Sequence, residues 1–204
     1  MDYEETFAPV ARYTSIQSVI SLAAQMGWQI YHMDVKTTFL NGVIKEVYIE
    51  HLERFEMHER GTHMCRLKRA LYGLKQAPRA WYGCIGNYLQ QMGFVKSDVD
   101  SNLYYLMVEG EPLILVLYVD DLFLAGSSRL IEDCKRNLAT KFDMKDLGLK
   151  HYFLGLEVWQ KDNEIFLGQG RYTTEILKRF RMQDCRLMAT PMITNWKKVD
   201  ASEE

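Results

Sequence analysis

The sequence predicts an α+β fold in which helices pack against an antiparallel sheet. Residues 113–118 and 122–126 are two short runs of apolar, β-prone residues between turn residues, and they predict the two arms of a buried hairpin. Residues 16–24 and 128–141 instead repeat apolar residues at helical spacing, which predicts amphipathic helices. With 204 residues, the chain can form one domain with a sizeable core or two small lobes.

The composition is that of an ordinary folded protein. Hydrophobic residues make up 48% of the chain and charged residues 25%. No apolar run approaches the ~20 residues of a membrane span, and the acidic start of the chain, with Asp2, Glu4 and Glu5, predicts no secretory signal. The four cysteines lack the spacing of a metal site or a disulfide framework, so we expect reduced core residues of an intracellular protein. They are Cys65, Cys84, Cys134 and Cys185.

The charge distribution limits where a nucleic acid could bind. The net charge is −2, whereas nucleic-acid-binding proteins usually present a basic surface. Basic residues are nevertheless grouped in two stretches, the first with Arg66, Lys68, Arg69, Lys75 and Arg79 and the second with Lys178, Arg179, Arg181 and Arg186. Any template contact is therefore expected at these two stretches.

The first elements of the chain are a predicted helix and a predicted strand. Thr14 and Ser15 can cap a helix that ends at Gly27. Its apolar positions are Ile16, Val19, Ile20, Ala23 and Ala24. Residues 28–34 then predict a strand that ends in Asp34.

A second helix is predicted over residues 77–92. Pro78 suits the first turn of a helix, and Gly93 suits the position after its end. Its inner face would consist of Ala80, Trp81, Cys84, Tyr88 and Leu89. Gly83 and Gly86 weaken this helix, because glycine in a helix interior costs roughly 1 kcal/mol relative to alanine.

The elements around the hairpin complete the predicted sheet and its cover. Residues 103–108 predict a strand that pairs with the first arm of the hairpin. The helix predicted over residues 128–141 follows the second arm. Its inner side would consist of Ile131, Cys134 and Leu138, followed by Phe142.

Two adjacent aspartates, Asp120 and Asp121, lie between the arms of the hairpin. Adjacent carboxylates repel each other, and a partly buried charge is costly unless it is paired or binds a metal. One interpretation is a solvated turn, because aspartate favours turns. The other includes Asp34: three carboxylates from neighbouring strands could hold two hard cations. Two magnesium ions ~3.5–4 Å apart clamp the attacking and leaving oxygens of a phosphoryl transfer.

Three segments carry motifs that recur together: Tyr118-Val119-Asp120-Asp121, residues 34–42 (DVKTTFLNG) and residues 71–82 (LYGLKQAPRAWY). The first resembles the catalytic box of reverse transcriptases. The second and third resemble the first metal-binding box and the second box of the reverse transcriptases of copia-type LTR retrotransposons. The order and spacing of the boxes also fit, and the resemblance covers nearly the whole chain.

The resemblance implies a polymerase palm, which is an antiparallel sheet with helices on one face in a split βαβ-like arrangement, with partial fingers and the start of a thumb. The implied units are residues 1–167 for the palm with partial fingers and a primer-grip hairpin, 168–192 for the start of the thumb, and 193–204 for a disordered tail. The primer-grip hairpin would comprise residues 151–158 and 164–167. The first thumb helix would cover residues 169–182, with Tyr172, Ile176, Leu177 and Phe180 inward.

The same resemblance implies RNA-directed DNA synthesis, in which a dNTP is joined to a primer 3′-hydroxyl with two Mg²⁺ or Mn²⁺ ions. Asp34, Asp120 and Asp121 would hold one ion. Asp34, Asp120 and the backbone carbonyl of Val35 would hold the other. Asp121 would be the most dispensable aspartate. Lys145 would protonate the leaving pyrophosphate, and the alternative is that it belongs to a charged surface loop.

The resemblance also implies where the substrates bind. Phe39 would stack under the sugar, where a rigid ring fills the space that a 2′-hydroxyl needs; the alternative is an ordinary core phenylalanine. The residues implied to contact the nucleotide are Thr37, Thr38, Phe39, Gly73 and Gln76. Those implied to contact the RNA or DNA template and its primer are Lys75, Arg79, Tyr118, Phe153, Leu154 and Gly155.

Two departures from the family leave a second function open. Residues 51–55 lack the Pro and Gly that form a turn at this place in relatives. Relatives also carry basic residues of the fingers just upstream of a segment like residues 3–7, and this sequence starts at that segment. We therefore expect a fragment, located in the cytoplasm (in a virus-like particle) or in the nucleus. It is either a polymerase domain or a catalytically inactive remnant that binds nucleic acid or protein. A ferredoxin-like binding domain with an accidental Asp-Asp pair is a third alternative.

Overall fold

The computed structural model describes residues 8–49, 64–149, 151–153, 155–161 and 164–188. Its helices are α1 (Tyr13–Met26), α2 (Ala77–Gln91), α3 (Ser128–Lys141) and α4 (Gly170–Arg179), and a 3₁₀ helix covers Thr38–Asn41. Its strands are β1 (Ile30–Val35), β2 (Tyr48–Ile49), β3 (Cys65–Arg66), β4 (Val95–Lys96), β5 (Leu103–Val108), β6 (Glu111–Tyr118), β7 (Asp121–Gly126), β8 (Met144–Leu149), β9 (Tyr152–Phe153), β10 (Leu156–Lys161) and β11 (Glu164–Gly168). The expectations for residues 51–55, Leu154 and the tail 193–204 lie outside the described residues.

The main sheet is antiparallel and has the strand order β4-β5-β6-β7-β1-β8. The predicted hairpin is confirmed: β6 and β7 pair from Leu113↔Gly126 to Tyr118↔Asp121, and a two-residue turn of Val119 and Asp120 joins them. β5 pairs with β6 as expected. Strand β1 lies between β7 and β8 in the sheet, so the segment that ends in Asp34 is a direct neighbour of the hairpin.

Side chains from the two faces of the sheet enter two separate hydrophobic cores. Met33, Leu122 and Leu124 point to the face on which α2 and α3 pack. The opposite face presents Ile30, Val116, Phe123 and Ala125 to α1 and to Val158 of β10. All helices were expected on one face of the sheet. This is correct for α2 and α3, but α1 packs on the opposite face. The reason is that the central strands are apolar on both faces, so both faces must be covered.

The boundaries of the first three helices agree closely with the sequence. Gly27 follows α1 in the left-handed conformation at φ 66°, although Arg12 rather than Thr14 or Ser15 precedes the helix and provides no side-chain cap. Gly86 of α2 has a packing reason, because a Cβ there would lie 3.0 Å from Oη of Tyr104. None of the described helices is long and apolar enough to cross a membrane.

The last helix differs from its prediction. Helix α4 lies within the expected range 169–182, but none of its residues is buried. Tyr172 is 54% exposed, and Phe180, which follows the helix, is 63% exposed. Ile176 and Leu177 are half-buried, so the apolar side of α4 is only partly covered by the part of the chain that the structure describes.

A small sheet of β9, β10 and β11 pairs residues 156–161 with 164–168. The second arm of the hairpin expected at 151–158 and 164–167 therefore forms, but the expected first arm is divided between β9 and β10, which pair with each other. The small sheet is attached to the main sheet by the side-chain amide of Gln160. Nε2 of Gln160 donates to the carbonyl of Ile30 at 3.0 Å, and the backbone N–H of Ile30 donates to Oε1 at 2.7 Å. This pair of hydrogen bonds fixes the small sheet beside the start of β1.

A buried lysine connects α3 to the edge strand β8. Lys135 is 7% exposed, and its Nζ lies 3.0 Å from Asp146 Oδ2, 3.1 Å from Glu132 Oε1 and 3.9 Å from the centre of the Tyr31 ring. Burial alone would lower its pKa, but the hydrogen bonds and charges of Asp146 and Glu132 raise it on balance. The charged form of Lys135 is therefore favoured in the folded protein.

Replacing Lys135 with Ala should lower the free energy of unfolding by about 1–3 kcal/mol, because the buried stem and the contact with Tyr31 are lost. Lys135→Met keeps the stem and should cost less. Because the pKa of Lys135 is raised in the folded chain, its charge stabilises the fold, and this stabilisation is fully present below the ordinary lysine pKa of 10.5. The stabilisation is lost as the pH rises above 10.5 and through the folded pKa. Urea unfolding at neutral and alkaline pH measures both effects, and a Met variant as unstable as the Ala variant would contradict the role of the stem.

Candidate active site

The turn between β6 and β7 is held from two sides. On the α2 side, Nε1 of Trp81 donates a hydrogen bond to the carbonyl of Val119 at 2.7 Å. From β1, the backbone N–H of Val35 donates to the carbonyl of Asp120 at 2.9 Å. Val119 itself has φ 56°, a conformation that β-branched residues rarely adopt. These bonds maintain a strained turn and place Asp120 next to the end of β1.

Asp34 and Asp121 are directly opposite each other on β1 and β7. Opposite residues of an antiparallel pair point to the same face of the sheet, and this is the face of the α1 core. Nε2 of His32 contacts Oδ1 of Asp121, and the His32 ring packs 5.4 Å from that of Phe123. The sequence reasoning missed His32, although its position two residues before Asp34 puts it on the same face of the strand.

The carboxyl group of Asp120 is electrostatically coupled to its neighbours. Burial is the main cause that raises the pKa of Asp120, and the negative charges of Asp121 and Asp34 raise it further. The charge of His32 acts in the opposite direction without reversing the shift. Three carboxylates therefore share one region of negative potential at the end of the hairpin.

Lys145 lies on a strand and not in a loop. It is the Cα partner of Asp34 across the β1–β8 pair, so its side chain is on the same face of the sheet as that of Asp34. The register is supported by the hydrogen bond from the Lys36 N–H to the carbonyl of Asp143 at 2.9 Å and by the ion pair between their side chains at 3.0 Å. The side chain of Lys145 is exposed and accessible to a substrate.

The segment after β1 forms one wall of the site. Thr38 is fully buried, and its hydroxyl donates to the carbonyl of Val35 at 2.8 Å. Thr37 precedes the 3₁₀ helix at φ 48°. A Cβ on Gly42 would lie 2.9 Å from both Ala80 Cβ and Trp81 N. Glycine is therefore needed at this position for the segment to pack against α2.

Phe39 has features both of a core phenylalanine and of a ring that could stack under a sugar. It is 9% exposed and belongs to the core beneath α2 and α3, yet it also lines an open cavity. Its ring meets that of Tyr72 edge-on, with ring centres 4.4 Å apart and an angle of 60°. Tyr72 is 65% exposed and lies within the second box, but its contact with Phe39 could not be predicted from spacing.

The remaining candidate residues lie in two places. Around the start of α2, Gly73 has φ 90°, Gln76 precedes the helix, and Lys75 and Arg79 are exposed. Tyr118 is the partner of Asp121 in the hairpin. Phe153 and Gly155 belong to the small sheet and its turn, and the side chain of Phe153 is not described. The structure thus gathers Asp34, Asp120, Asp121 and Lys145 at the hairpin, with the start of α2 behind it.

The residues at the hairpin suit a hard divalent cation. Carboxylate and carbonyl oxygens are the ligands that Mg²⁺ prefers, and the three carboxylates supply the negative charge. Within the described ranges, however, no group of three or more His, Cys, Asp or Glu side chains is arranged as a ready metal site. Asp121 already contacts His32, so Asp34 and Asp120 are the leading candidates for ligands.

Comparison with known proteins shows the family to which the chain belongs. The family model described as reverse transcriptase (RNA-dependent DNA polymerase) matches residues 1–194. The retrovirus-related Pol polyprotein from transposon RE2 of Arabidopsis thaliana is 39% identical over 199 residues, which are 97% of this chain and 14% of the polyprotein. The corresponding polyprotein from transposon TNT 1-94 of Nicotiana tabacum is 36% identical over 202 residues, 97% of this chain and 15% of the polyprotein.

A third relative matches this chain over a similar length. The polyprotein from transposon RE1 of Arabidopsis thaliana is 39% identical over 194 residues, 94% of this chain and 13% of the polyprotein. The chain thus spans about a seventh of the length of these curated relatives. No solved structure matches it significantly. The chain belongs to the reverse transcriptase (RNA-dependent DNA polymerase) family, in the form found in the Pol polyproteins of copia-type retrotransposons.

Proposed function

We propose that this chain is the polymerase part of a retrotransposon reverse transcriptase and joins a dNTP to a primer 3′-hydroxyl on an RNA template. The observation that carries the proposal is the position of Asp120. The hydrogen bond from Val35 N–H to the Asp120 carbonyl places the hairpin turn against the end of β1. Burial is the main cause of the raised pKa of Asp120, and the charge of Asp34 contributes to it. The carboxyl groups of Asp34 and Asp120, from two separate segments of the chain, thus lie close enough to interact.

Asp34 and Asp120 would hold two divalent cations, Mg²⁺ or Mn²⁺, with Asp121 and the carbonyl of Val35 as further donors. Such ions, when bound, lower the pKa of the primer hydroxyl and neutralise the charge that develops on the leaving group. Burial raises the pKa of Asp120 most, and the negative charges of Asp121 and Asp34 raise it further. A cation bound beside the carboxylates would offset both effects. The Val35 carbonyl already accepts one hydrogen bond from Thr38, and its second lone pair is the one available to an ion.

The chain itself would supply position and proton transfer. The fixed turn holds Asp120 in place before substrates bind, which is how preorganised groups lower a barrier. Lys145, on the face of Asp34, would give a proton to the leaving pyrophosphate. Thr37 and Thr38 would offer backbone N–H groups to the triphosphate.

Template and primer would bind on both sides of the hairpin. Lys75 and Arg79 would contact template phosphates, and Gly73 and Gln76 would lie against the nascent base pair. Tyr118, Phe153, Leu154 and Gly155 would contact the primer. In this arrangement residues 1–167 form the palm with partial fingers and the primer grip, and residues 168–192 begin the thumb. The exposed rings of Tyr172 and Phe180 support the latter, because the apolar stripe of an amphipathic helix normally packs against another element.

We expect Phe39→Ala to increase the use of ribonucleotides, because the ring that excludes the 2′-hydroxyl is removed. The ratio of kcat/KM for a ribonucleotide to that for the matching deoxynucleotide should rise by about 10-fold or more. Removing a buried phenylalanine also destabilises by about 3–5 kcal/mol, so the assay requires a temperature at which circular dichroism shows a folded variant. Single-nucleotide extension with each triphosphate measures the ratio.

The matched control for this variant is Tyr72→Phe. It keeps the edge-on contact with Phe39 and removes only a hydroxyl, so the sugar preference should not change. An active, folded Phe39→Ala protein with the wild-type preference would make Phe39 an ordinary core residue.

The test of the proposal is primer extension on an RNA template with all four dNTPs. We expect extension with Mg²⁺ or Mn²⁺ and none after chelation by EDTA. A folded chain that binds the primer–template without extending it under either ion would favour the inactive binding module. The contact of Asp121 with His32 is the observation that favours this second function, because it engages one of the three carboxylates.

A further inference from the structure

We propose that Gln160 is a positioning residue of the polymerase, whose side-chain amide sets the orientation of the small sheet relative to the strand that carries Asp34. The small sheet and its turn include Phe153 and Gly155, the proposed primer contacts. The functional part of this inference therefore rests on the proposed polymerase function. The attachment through Gln160 requires neither substrate nor activity, so it is tested separately.

The amide of Gln160 takes the place of a neighbouring strand. Its Oε1 accepts a hydrogen bond from the backbone N–H of Ile30 at 2.7 Å, and its Nε2 donates to the Ile30 carbonyl at 3.0 Å. A residue in an antiparallel ladder exchanges the same two bonds with its partner. The adjacent residue Tyr31 is paired with Leu149, the last residue of β8. Gln160 thus supplies the bonds of a strand partner to the backbone of Ile30, which is 4% exposed.

The apolar contact beside this pair attaches the small sheet without setting its angle. Val158, two residues before Gln160, is 2% exposed and packs in the same core as Ile30 and Phe123. Burial of apolar surface has no directional preference, and a cavity of about 20 Å³ remains among these side chains. Two hydrogen bonds from one planar amide do have a direction. Packing at Val158 therefore holds the small sheet against the main sheet, and Gln160 sets its angle.

The distances along the two strands make this angle important for catalysis. Ile30 is four residues before Asp34 on β1, and Gln160 is four residues after Leu156 on β10, and each separation is about 13 Å. Phe153 pairs with Leu156, so the proposed primer contacts lie at the end of β10 that is far from Gln160. A tilt of about 10° at Gln160 would move that end by about 2 Å over this length. Because a misplacement of about 1 Å can reduce a rate about 100-fold, we expect loss of the amide to slow catalysis.

The variant that tests this role is Gln160→Met, which keeps the length of the side chain and removes both hydrogen bonds to Ile30. Amide hydrogen exchange reports on these bonds directly. The Ile30 N–H should exchange at least about fivefold faster, the effect of one hydrogen bond. The N–H of Val35, which donates to Asp120 near the other end of β1, is the internal control. Unchanged exchange at Ile30, or equal acceleration at both amides, would overturn the assignment.

Residual dipolar couplings of the weakly aligned protein measure the orientation of the small sheet without any substrate. In the wild-type chain, one alignment tensor should describe the backbone N–H groups of β6, β7, β10 and β11. In Gln160→Met, the couplings of β10 and β11 should no longer fit the tensor of β6 and β7, because the small sheet tilts or moves independently. A single tensor for both sheets in this variant would refute the proposal.

Two variants in α1 are the controls for these measurements. Gln17→Met makes the same change of side chain at an exposed position, and Ile16→Ala removes apolar contact from the core that holds Val158. Both variants should keep one tensor for the two sheets, although Ile16→Ala is less stable than the wild-type chain. Loss of the common tensor in Ile16→Ala as well would show that packing sets the angle, contrary to the role assigned to Gln160.

The consequence for catalysis is measured by rapid-quench addition of one nucleotide to a saturating primer–template. In Gln160→Met, kcat should fall at least about 10-fold, whereas the Kd of the primer–template should stay near the wild-type value, because phosphate contacts dominate that affinity. Ile16→Ala should keep the wild-type kcat, and equal losses in the two variants would mean destabilisation alone and contradict the positioning role. Absence of extension by the wild-type chain would contradict the proposed function, and the exchange and coupling measurements would still decide on Gln160.

Discussion

Replacing Asp120 with Asn should abolish primer extension while the fold is retained. The substitution keeps the shape of the side chain but removes the charge that would hold the cations between Asp34 and the hairpin turn. Loss of a group that stabilises charge in the transition state lowers kcat by at least about 10²–10³-fold. Rapid-quench measurement of single-nucleotide addition, with the wild-type chain in parallel, determines the ratio.

The stability of the same variant provides a check that does not depend on activity. Because the pKa of Asp120 is raised in the folded chain, its ionised form lowers the free energy of unfolding at neutral pH. The full destabilisation is present at pH values above the pKa that Asp120 has in the folded chain. It disappears as the pH falls below 3.8, the ordinary pKa of aspartate. Asp120→Asn should therefore be at least as stable as the wild-type chain at pH 7, and the difference should vanish in acid. Denaturant unfolding at both pH values measures this.

Asp121→Asn is the matched control at the neighbouring position. Asp121 contacts His32 across the strand pair, so its loss should reduce extension less than the loss of Asp120. Equal rates for the Asp120→Asn variant and the wild-type chain would falsify the two-metal assignment. A variant that fails to fold at pH 7 would contradict the electrostatic argument, since removal of a repelled charge relieves strain and does not create it.

The sequence predicts the hairpin and its neighbours well, because local patterns determine them. The arms of residues 113–126 are apolar runs of strand length with turn residues at both ends, and β6 and β7 follow them within two residues. Helix α2 begins at Ala77 with Pro78 in its first turn, as the position of the proline predicts. These features need no information about distant residues.

The pairing of distant segments could not be predicted in the same way. Lys145 lies opposite Asp34 only because β8 pairs with β1 in a register that contains a bulge, and no local pattern specifies it. Likewise, the amphipathic patterns of α1 and α3 look alike in the sequence, yet the two helices cover opposite faces of the sheet. The tertiary fold determines which face each helix covers, because strands that are apolar on both faces accept either helix.

Replacing Trp81 with Ala should have the largest effect on stability, lowering the free energy of unfolding by about 3–5 kcal/mol. The side chain is 2% exposed, and its ring meets that of Phe142 edge-on at 5.3 Å. Its Nε1 also holds the carbonyl of Val119 at 2.7 Å. The substitution therefore opens a cavity in the core and releases the hairpin turn together. Urea unfolding followed by circular dichroism measures the loss.

Trp81→Phe separates the two roles of this residue. Phenylalanine keeps most of the packing against Phe142 but cannot donate to Val119, so the stability loss should shrink to about 1 kcal/mol, the net contribution of one hydrogen bond. The strained backbone of Val119 then lacks one of its two hydrogen-bonded restraints. We therefore expect a clear loss of the primer-extension rate in a variant whose free energy of unfolding is only slightly lowered. Full activity in the folded Phe variant would mean that the hydrogen bond from Val35 to Asp120 alone positions the turn. The helix of the second box would then act on catalysis only through packing.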